Sequence, residues 1–362
     1  MIWKRAKLWI TLGGMSLAAF GQPTAPIPDD PLEVVTGQIQ PATTTAQRSA
    51  ALQLLNRARS SYELRNANSG YTLDITFKVD SGGQTQYDGT WQMQDVYDPK
   101  QGMRWSARLN DQFSRVQISA NGKLYAESTT NYIPLRLHEA RAALLDPIPA
   151  GQSASHDAIR TSMAMFRGVE LTCVLLSTPA NAVAAAAAPA RRWDESEECI
   201  DARTGLLRIH SQAPGRYFVY DYSNAPQFAR CTLARSVTIT EGGKTVSEIL
   251  VQRLTPAPAA DPNLFAVSDD MKARGRAASM AGAMKYSQVS GSGPVAHTVC
   301  VFGLVTASGE LIDAHSLQPW DPNSAAAVNA VKQIKFAAED PSGGPPQQHM
   351  IFVVESFAST GS

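Results

Sequence analysis

The 362-residue chain has no excess of charge of either sign: 32 Lys and Arg stand against 32 Asp and Glu, for a formal net charge of zero. Such a chain has no bulk field to draw in nucleic acid or an anionic membrane, and neither is expected as a partner. Long apolar runs are lacking too. The N-terminal run from Leu8 to Phe20 falls short of the roughly 18–20 residues a spanning helix needs, so no stable transmembrane span is expected. Cysteines are few, at 173, 199, 231 and 300, with no C-x-x-C pair and no histidine at metal-ligand spacing, which leaves no zinc motif. The six histidines are scattered, and there is no H-E-x-x-H, G-x-S-x-G, Walker loop or dinucleotide fingerprint. No catalytic residue, metal ligand or cofactor is assigned on these grounds. The acidic stretch Asp194-Glu195-Ser196-Glu197-Glu198 lacks the glycine turn and alternating ligands of a calcium loop and reads as a solvated strand entrance. A hydrolase built from two carboxylates distant in sequence stays open as the least favoured alternative.

What is present begins with a basic stretch, Met1-Ile2-Trp3-Lys4-Arg5-Ala6-Lys7, followed by the apolar run and then Ala19-Phe20-Gly21. That order is the order of a secretory signal peptide, expected over 1–21, and places the chain in the periplasm or outside the cell. Residues 22–45, rich in Pro, Thr and Gln, read as a flexible linker. In an exported chain an even cysteine count points to disulfides. Cys173 and Cys199, each in a strand-like segment and joined by a long loop, are the expected pair; Cys231 and Cys300 fall in different domains and read as buried thiols.

Thr43 to Thr45 offer a helix cap, and Ala51, Leu55, Ala58 and Tyr62 recur at helical spacing. Tyr71, Leu73, Ile75, Phe77 and Val79 then alternate with polar residues, one strand with a wet and a buried face. Hairpins follow, around Trp91, Trp105, residues 116–119 and 123–126, interrupted by an amphipathic helix over 134–146. Strands resume over 163–177, 194–201, 205–211 and 216–222, then as a long pair, 231–240 and 244–254. A helix before a long curved antiparallel sheet, a second helix inserted within it and a closing Asp261-Pro262-Asn263-Leu264-Phe265 segment together resemble the LolA-like half-barrel of periplasmic lipoprotein carriers, over residues 46–268. The resemblance implies a cavity for acyl chains on the concave face, lined by inward-facing Leu73, Ile75, Phe77, Trp91, Trp105 and Tyr217.

Residues 269–293 have no clean period and read as an interdomain linker. Beyond them, Val299 to Val305 is a short apolar run, Ala307-Ser308-Gly309-Glu310 has turn chemistry, and Leu311 to His315 returns as a strand. Asp321 offers an N-cap with Pro322 at the first helical position, and Val328, Val331 and Ile334 share a helix face ending at Phe336. After a Pro/Gly-rich break, Ile351, Val353 and Phe357 line a last strand and are expected to pack on that helix face. This ββαβ unit over 294–358 resembles the C-terminal domain of TonB-type proteins, although the family's Pro-Tyr-Pro lead-in is replaced by Tyr286-Ser287-Gln288. The resemblance implies a module that docks a cell-envelope protein through a sheet edge, with the Ile351, Val353 and Phe357 strand as the partner-binding strand.

The expectation is an α+β protein: a large curved antiparallel half-barrel with covering helices, plus a small ββαβ domain. It is expected to be a non-enzymatic exported protein that holds a lipid or a lipoprotein acyl chain and docks a protein partner. The alternatives are a scaffold without a small ligand and a TonB-like energy-transduction partner.

Overall fold

The computed structural model describes residues 35–67, 69–81, 87–120, 122–130, 132–148, 158–177, 191–192, 195–257, 263–274, 285–293, 297–306, 308–337 and 349–359. The expected signal peptide lies outside them. In chain order the elements are β1 (Val35–Thr36), β2 (Gln40–Pro41), α1 (Thr45–Tyr62), β3 (Tyr71–Val79), β4 (Gly89–Asp98), β5 (Gly102–Leu109), β6 (Phe113–Ala120), β7 (Lys123–Ser128) and α2 (Leu135–Leu145). They continue with β8 (Ala158–Phe166), β9 (Val169–Ser177), β10 (Glu195–Asp201), β11 (Leu207–Ala213), β12 (Arg216–Asp221), β13 (Gln227–Phe228), β14 (Cys231–Thr232), β15 (Ser236–Glu241) and β16 (Lys244–Pro256). The remainder is α3 (Asp269–Arg274), β17 (Lys285–Gly293), β18 (His297–Val305), β19 (Leu311–Ser316), α4 (Ser324–Lys332) and β20 (His349–Ser359).

A fully antiparallel sheet runs β1-β8-β9-β10-β11-β12-β15-β16-β3-β4-β5-β6-β7, with β2 also on β8. Its outer strands do not pair with each other, so it is an open half-barrel with helices on one face. The fold is α+β. α1 starts at Thr44, whose side chain accepts the Gln47 N–H while the Gln47 side chain returns to the Thr44 backbone, a capping box. Its buried residues are Ala51, Leu55, Ala58 and Tyr62, the stripe read from the spacing. β3 likewise spans the alternating run and buries Leu73, Ile75, Phe77 and Val79 in the main core with Phe218, Tyr220 and Ile249.

Several expectations need correction. Residues 35–41, placed in the flexible linker, add two short strands to β8. The single strand expected over 163–177 is a hairpin, turned at Arg167 and Gly168, both at positive φ. No run of polar residues marks the turn, because Met163, Met165 and Phe166 keep the segment apolar up to it. The linker over 269–293 is interrupted by α3, which packs on β7, and ends in β17, which pairs parallel with β20. α4 starts later than expected: Asn323 is its N-cap, while Asp321 accepts the Asn323 N–H at 2.8 Å from the preceding turn.

The second sheet runs β17-β20-β18-β19. One face packs Val299, Val301, Ile351 and Val353 against Ala327, Val328, Val331 and Ile334 of the α4 segment, the contact expected from the two apolar patterns. Its other face packs Cys300, Phe302, Leu304, Met350 and Phe352 against Leu135 and Ala213 of the half-barrel. The small domain is therefore apolar on both sides of its sheet and seated on the large one. Gly215, at φ +85° in the β11–β12 turn, permits the closest approach: a Cβ there would lie 2.1 Å from the Leu317 carbonyl oxygen.

Candidate functional site

Residues opposite each other on paired strands share a face, so a one-residue step moves a side chain through the sheet. Along β12, Phe218 and Tyr220 join the helix-covered core, whereas Tyr217 and Val219 join a cluster on the other side with Phe166, Leu171 and Ile209. On β10 and β11, Glu198 pairs with His210, and His210 shares a cleft with α2 residues. Between that strand group, α2 and the small domain lies a cleft of about 710 Å³. Its apolar wall includes Tyr62, Tyr71, Phe218, Tyr220, Leu135 and Met350; its polar wall includes His138, Glu139, Arg141, Ser196 and His210. Met350 comes from β20, so the small domain supplies part of the wall.

The electrostatics of this wall are set by burial. Glu198 is fully enclosed and its pKa is raised, burial outweighing the His210 Nδ1 contact at 2.8 Å. Burial also pushes the phenols of Tyr62, Tyr71 and Tyr220 up, so they remain protonated; Tyr62 and Tyr71 are hydrogen-bonded, whereas the Tyr220 hydroxyl has no partner among the described residues. Tyr71 donates to Asp95 at 2.9 Å, and Asp95 also receives Arg141 Nε and Nη2 at 3.2 and 2.8 Å. A serine and a histidine share the cleft, yet among the described residues no hydrogen bond joins Ser196 to a histidine.

At the cleft's rim the two domains meet over a closed charge cluster. Arg136 of α2 donates to both oxygens of Glu241, at 2.7 and 2.9 Å, and to Glu139 at 3.0 Å. Arg216 donates to Glu241 at 2.8 Å and also to Glu139. From the small domain, His315 reaches Glu241 through Nε2 at 2.9 Å and Asp313 through Nδ1 at 3.2 Å. Phe302 lies beneath, stacked on His315 with centroids 4.9 Å apart and under both guanidinium groups at 5.5 Å. Burial alone would raise the Glu241 pKa; Arg136 and Arg216 overcome it and hold the carboxyl well below its ordinary range. Burial alone would lower His315; its bonds to Asp313 and Glu241 prevail and raise it to about 9. α2 thus buries its polar face as well as its apolar one, which its amphipathic pattern did not foretell.

The residues expected to line a cavity are placed otherwise. Leu73, Ile75, Phe77, Trp91 and Trp105 do lie on the helix-covered face, but they are filled core: Phe77 and Trp91 stack at 5.4 Å, and Phe113 closes on Trp91 at 5.2 Å. None of the five lines the cleft, which Tyr71 and Arg141 border instead. Tyr217 is on the opposite face. The acidic stretch is not a solvated entrance either, since Glu195 is buried against Arg160 at 2.8 and 2.5 Å and Glu198 against His210. Asp194 lies outside the described residues. The strand of Ile351 and Val353 is internal, paired with β17 on one side and β18 on the other, so it offers no edge to a partner. The Phe357 side chain lies outside the described residues. Cys173 and Cys199 face each other across β9 and β10 and are bonded; Cys231 and Cys300 are buried free thiols.

The cleft residues missed from the sequence, Phe218, Tyr220, His210, His138 and Arg141, had one legible signal. Arg136, Glu139 and Arg141 fall within a short helix that is otherwise Leu and Ala apart from His138, an expensive choice unless the charges are matched. Among the described residues no helix is long and apolar enough to cross a membrane.

No protein-family model and no curated protein matches this chain. Among solved structures, it is similar to a putative outer membrane lipoprotein-sorting protein domain from Vibrio parahaemolyticus, with 10% identity over 59% of this chain and 97% of that one, at a TM-score of 0.34. A DUF1329 family protein from Desulfovibrio piger gives 8% identity over 60% and 96%, at 0.37. A LolA superfamily protein from Nitrosomonas europaea gives 9% over 60% and 97%, at 0.31. At these TM-scores none of them bears on what this chain binds.

Proposed function

We propose that this is an exported cell-envelope protein that binds an apolar or lipidated ligand in the cleft between α2, β10–β12 and the small domain, and that it acts without catalysis. The cleft carries the reading. Its volume of about 710 Å³ lies within the range of small-molecule sites, and tyrosines and Phe218 form much of its wall with a few polar groups among them. The Cys173–Cys199 bond fits an oxidising compartment and so supports export. The experiment is displacement of a fluorescent acyl probe from the mature chain, compared with Ala142→Trp, which puts an indole into the cleft from α2. Loss of binding with an unchanged circular dichroism spectrum is expected. Undiminished binding by this variant, or none by the parent, would remove the cleft as the site.

A second reading concerns a protein partner. Among the described residues β17 is the outermost strand of its sheet and pairs with β20 alone, so an extended segment could add to its outer side by main-chain hydrogen bonding. Proline substitution along β17 with unaltered binding of an envelope partner would eliminate that reading.

A further inference from the structure

The concave face has a second polar region, at the β5–β7 end of the sheet. Trp105 pairs with Gln117, Ala107 with Arg115, and Arg115 with Ser128, so these side chains share the helix-covered face with Asp95. Arg115 is 3% exposed and Trp105 wholly buried. Arg115 donates through Nη2 to Gln117 at 3.0 Å, but among the described residues no carboxylate pairs with it, and its Nε has no partner. Trp105 Nε1 and Ser128 Oγ are buried and without partners as well. The Trp105 ring carries two guanidinium groups, Arg115 at 5.6 Å and Arg141 at 5.3 Å from its centroid, and the one acid here, Asp95, is already bonded to Arg141 and Tyr71. Burial with nothing to offset it pulls the Arg115 pKa down to about 10.

A buried cation without a counter-charge destabilises the ligand-free fold, and three buried donors without acceptors add to the deficit. What would satisfy all three residues is one oxyanion. We propose that Arg115, with Trp105 Nε1–H and Ser128 Oγ–H beside it, binds the single negative charge of an amphiphile: a long-chain carboxylate or the phosphodiester of a lipid headgroup. Asp95 already faces Arg141 and Arg65 and has no charge to spare for Arg115, so one carboxylate or phosphodiester would supply the missing counter-charge. Arg141 lines the cleft and shares the Trp105 ring with Arg115, so the head site adjoins the tail site. The location is the outer edge of the sheet, where α3 packs over β7. This inference rests on the half-barrel taking an amphiphile, and its test separates the two.

Calorimetric titration of the mature chain with dodecanoate, dodecanol and a short-chain phosphatidylglycerol, each below its micellar concentration, reads both. Dodecanoate or the phosphatidylglycerol should bind about 10- to 100-fold more tightly than dodecanol, the advantage of a charge-assisted contact. Which of the two gains identifies carboxylate or phosphodiester. Arg115→Met should abolish that advantage, leave dodecanol within about twofold, and raise the ligand-free melting temperature; Arg115→Lys should keep part of the advantage. Equal binding of alcohol and anions, or a Met variant that keeps the preference, overturns the anion site while leaving the cleft reading standing. Binding of none of the three overturns both. A Met variant that melts lower would make Arg115 a structural residue, against the proposal, with the Lys variant then deciding whether any charge preference remains.

Discussion

Two buried arginine sites in this protein differ in one respect, whether their charges close. At the domain junction Arg136, Arg216 and His315 meet Glu139, Glu241 and Asp313, three cationic groups against three carboxylates, each in hydrogen-bond contact. At the β5–β7 edge Arg115 stands without an acid among the described residues. The first arrangement balances its own charges, with only Asp313 Oδ1 left without a partner among the described residues, and joins two domains; the second is incomplete until something arrives. Equal burial therefore does not mean equal purpose, and the presence or absence of the counter-charge separates a joint from a binding site.

The comparison breaks most visibly at Glu241. Glu241→Ala leaves Arg136 and Arg216 with one shared acid and should cost about 3–5 kcal/mol in a urea titration, with the small domain becoming sensitive to protease first. A loss under about 1 kcal/mol would show that the junction is not a charge-closed joint. The disulfide serves as a control remote from both regions, on the opposite sheet face. Replacing Cys173 and Cys199 together by Ser should cost about 3 kcal/mol for a bond spanning 26 residues, while leaving domain order and anion preference unchanged.

A smaller effect is expected from pH. His315 has a folded pKa of about 9 against 6.5 unperturbed, so its contribution is complete below about 6.5 and declines as pH rises through 9. Melting temperature should fall across that window, and His315→Gln should flatten the slope. Glu241, held low, acts in the opposite sense and loses its contribution only as the solution becomes strongly acidic. A slope that persists in the Gln variant would mean another group sets it. The smallest change, and the one of opposite sign, belongs to Arg115→Met: a gain of roughly 1 kcal/mol in the ligand-free protein, read by the same urea titration.

Much of the local architecture was legible. The α1 stripe, the β3 alternation, the disulfide pair and the packing of Ile351 and Val353 on α4 were all expected from spacing or chemistry, and each is present. The cleft was not. The half-barrel resemblance implied Tyr217 as inward-facing, whereas Tyr220, three residues on and of opposite parity, lines the cleft. The strands of the acidic stretch looked solvated because their arginine and histidine partners lie elsewhere in sequence.

Sequence alone determined what is read within one element: which residues cap α1, which side of β3 is apolar, where the polar residues of α2 recur. These follow from backbone periods of 3.6 and 2, and a few consecutive residues suffice to show them. Which face of β12 meets the helices, whether β20 is an edge, and which arginine finds an acid were decided by tertiary structure. The Arg136–Glu241 contact joins residues 105 apart, and Arg160–Glu195 joins residues 35 apart across a hairpin and a loop. The energy of a buried charge depends on the dielectric and the counter-charge around it, and both are supplied by chain segments that periodicity does not bring together.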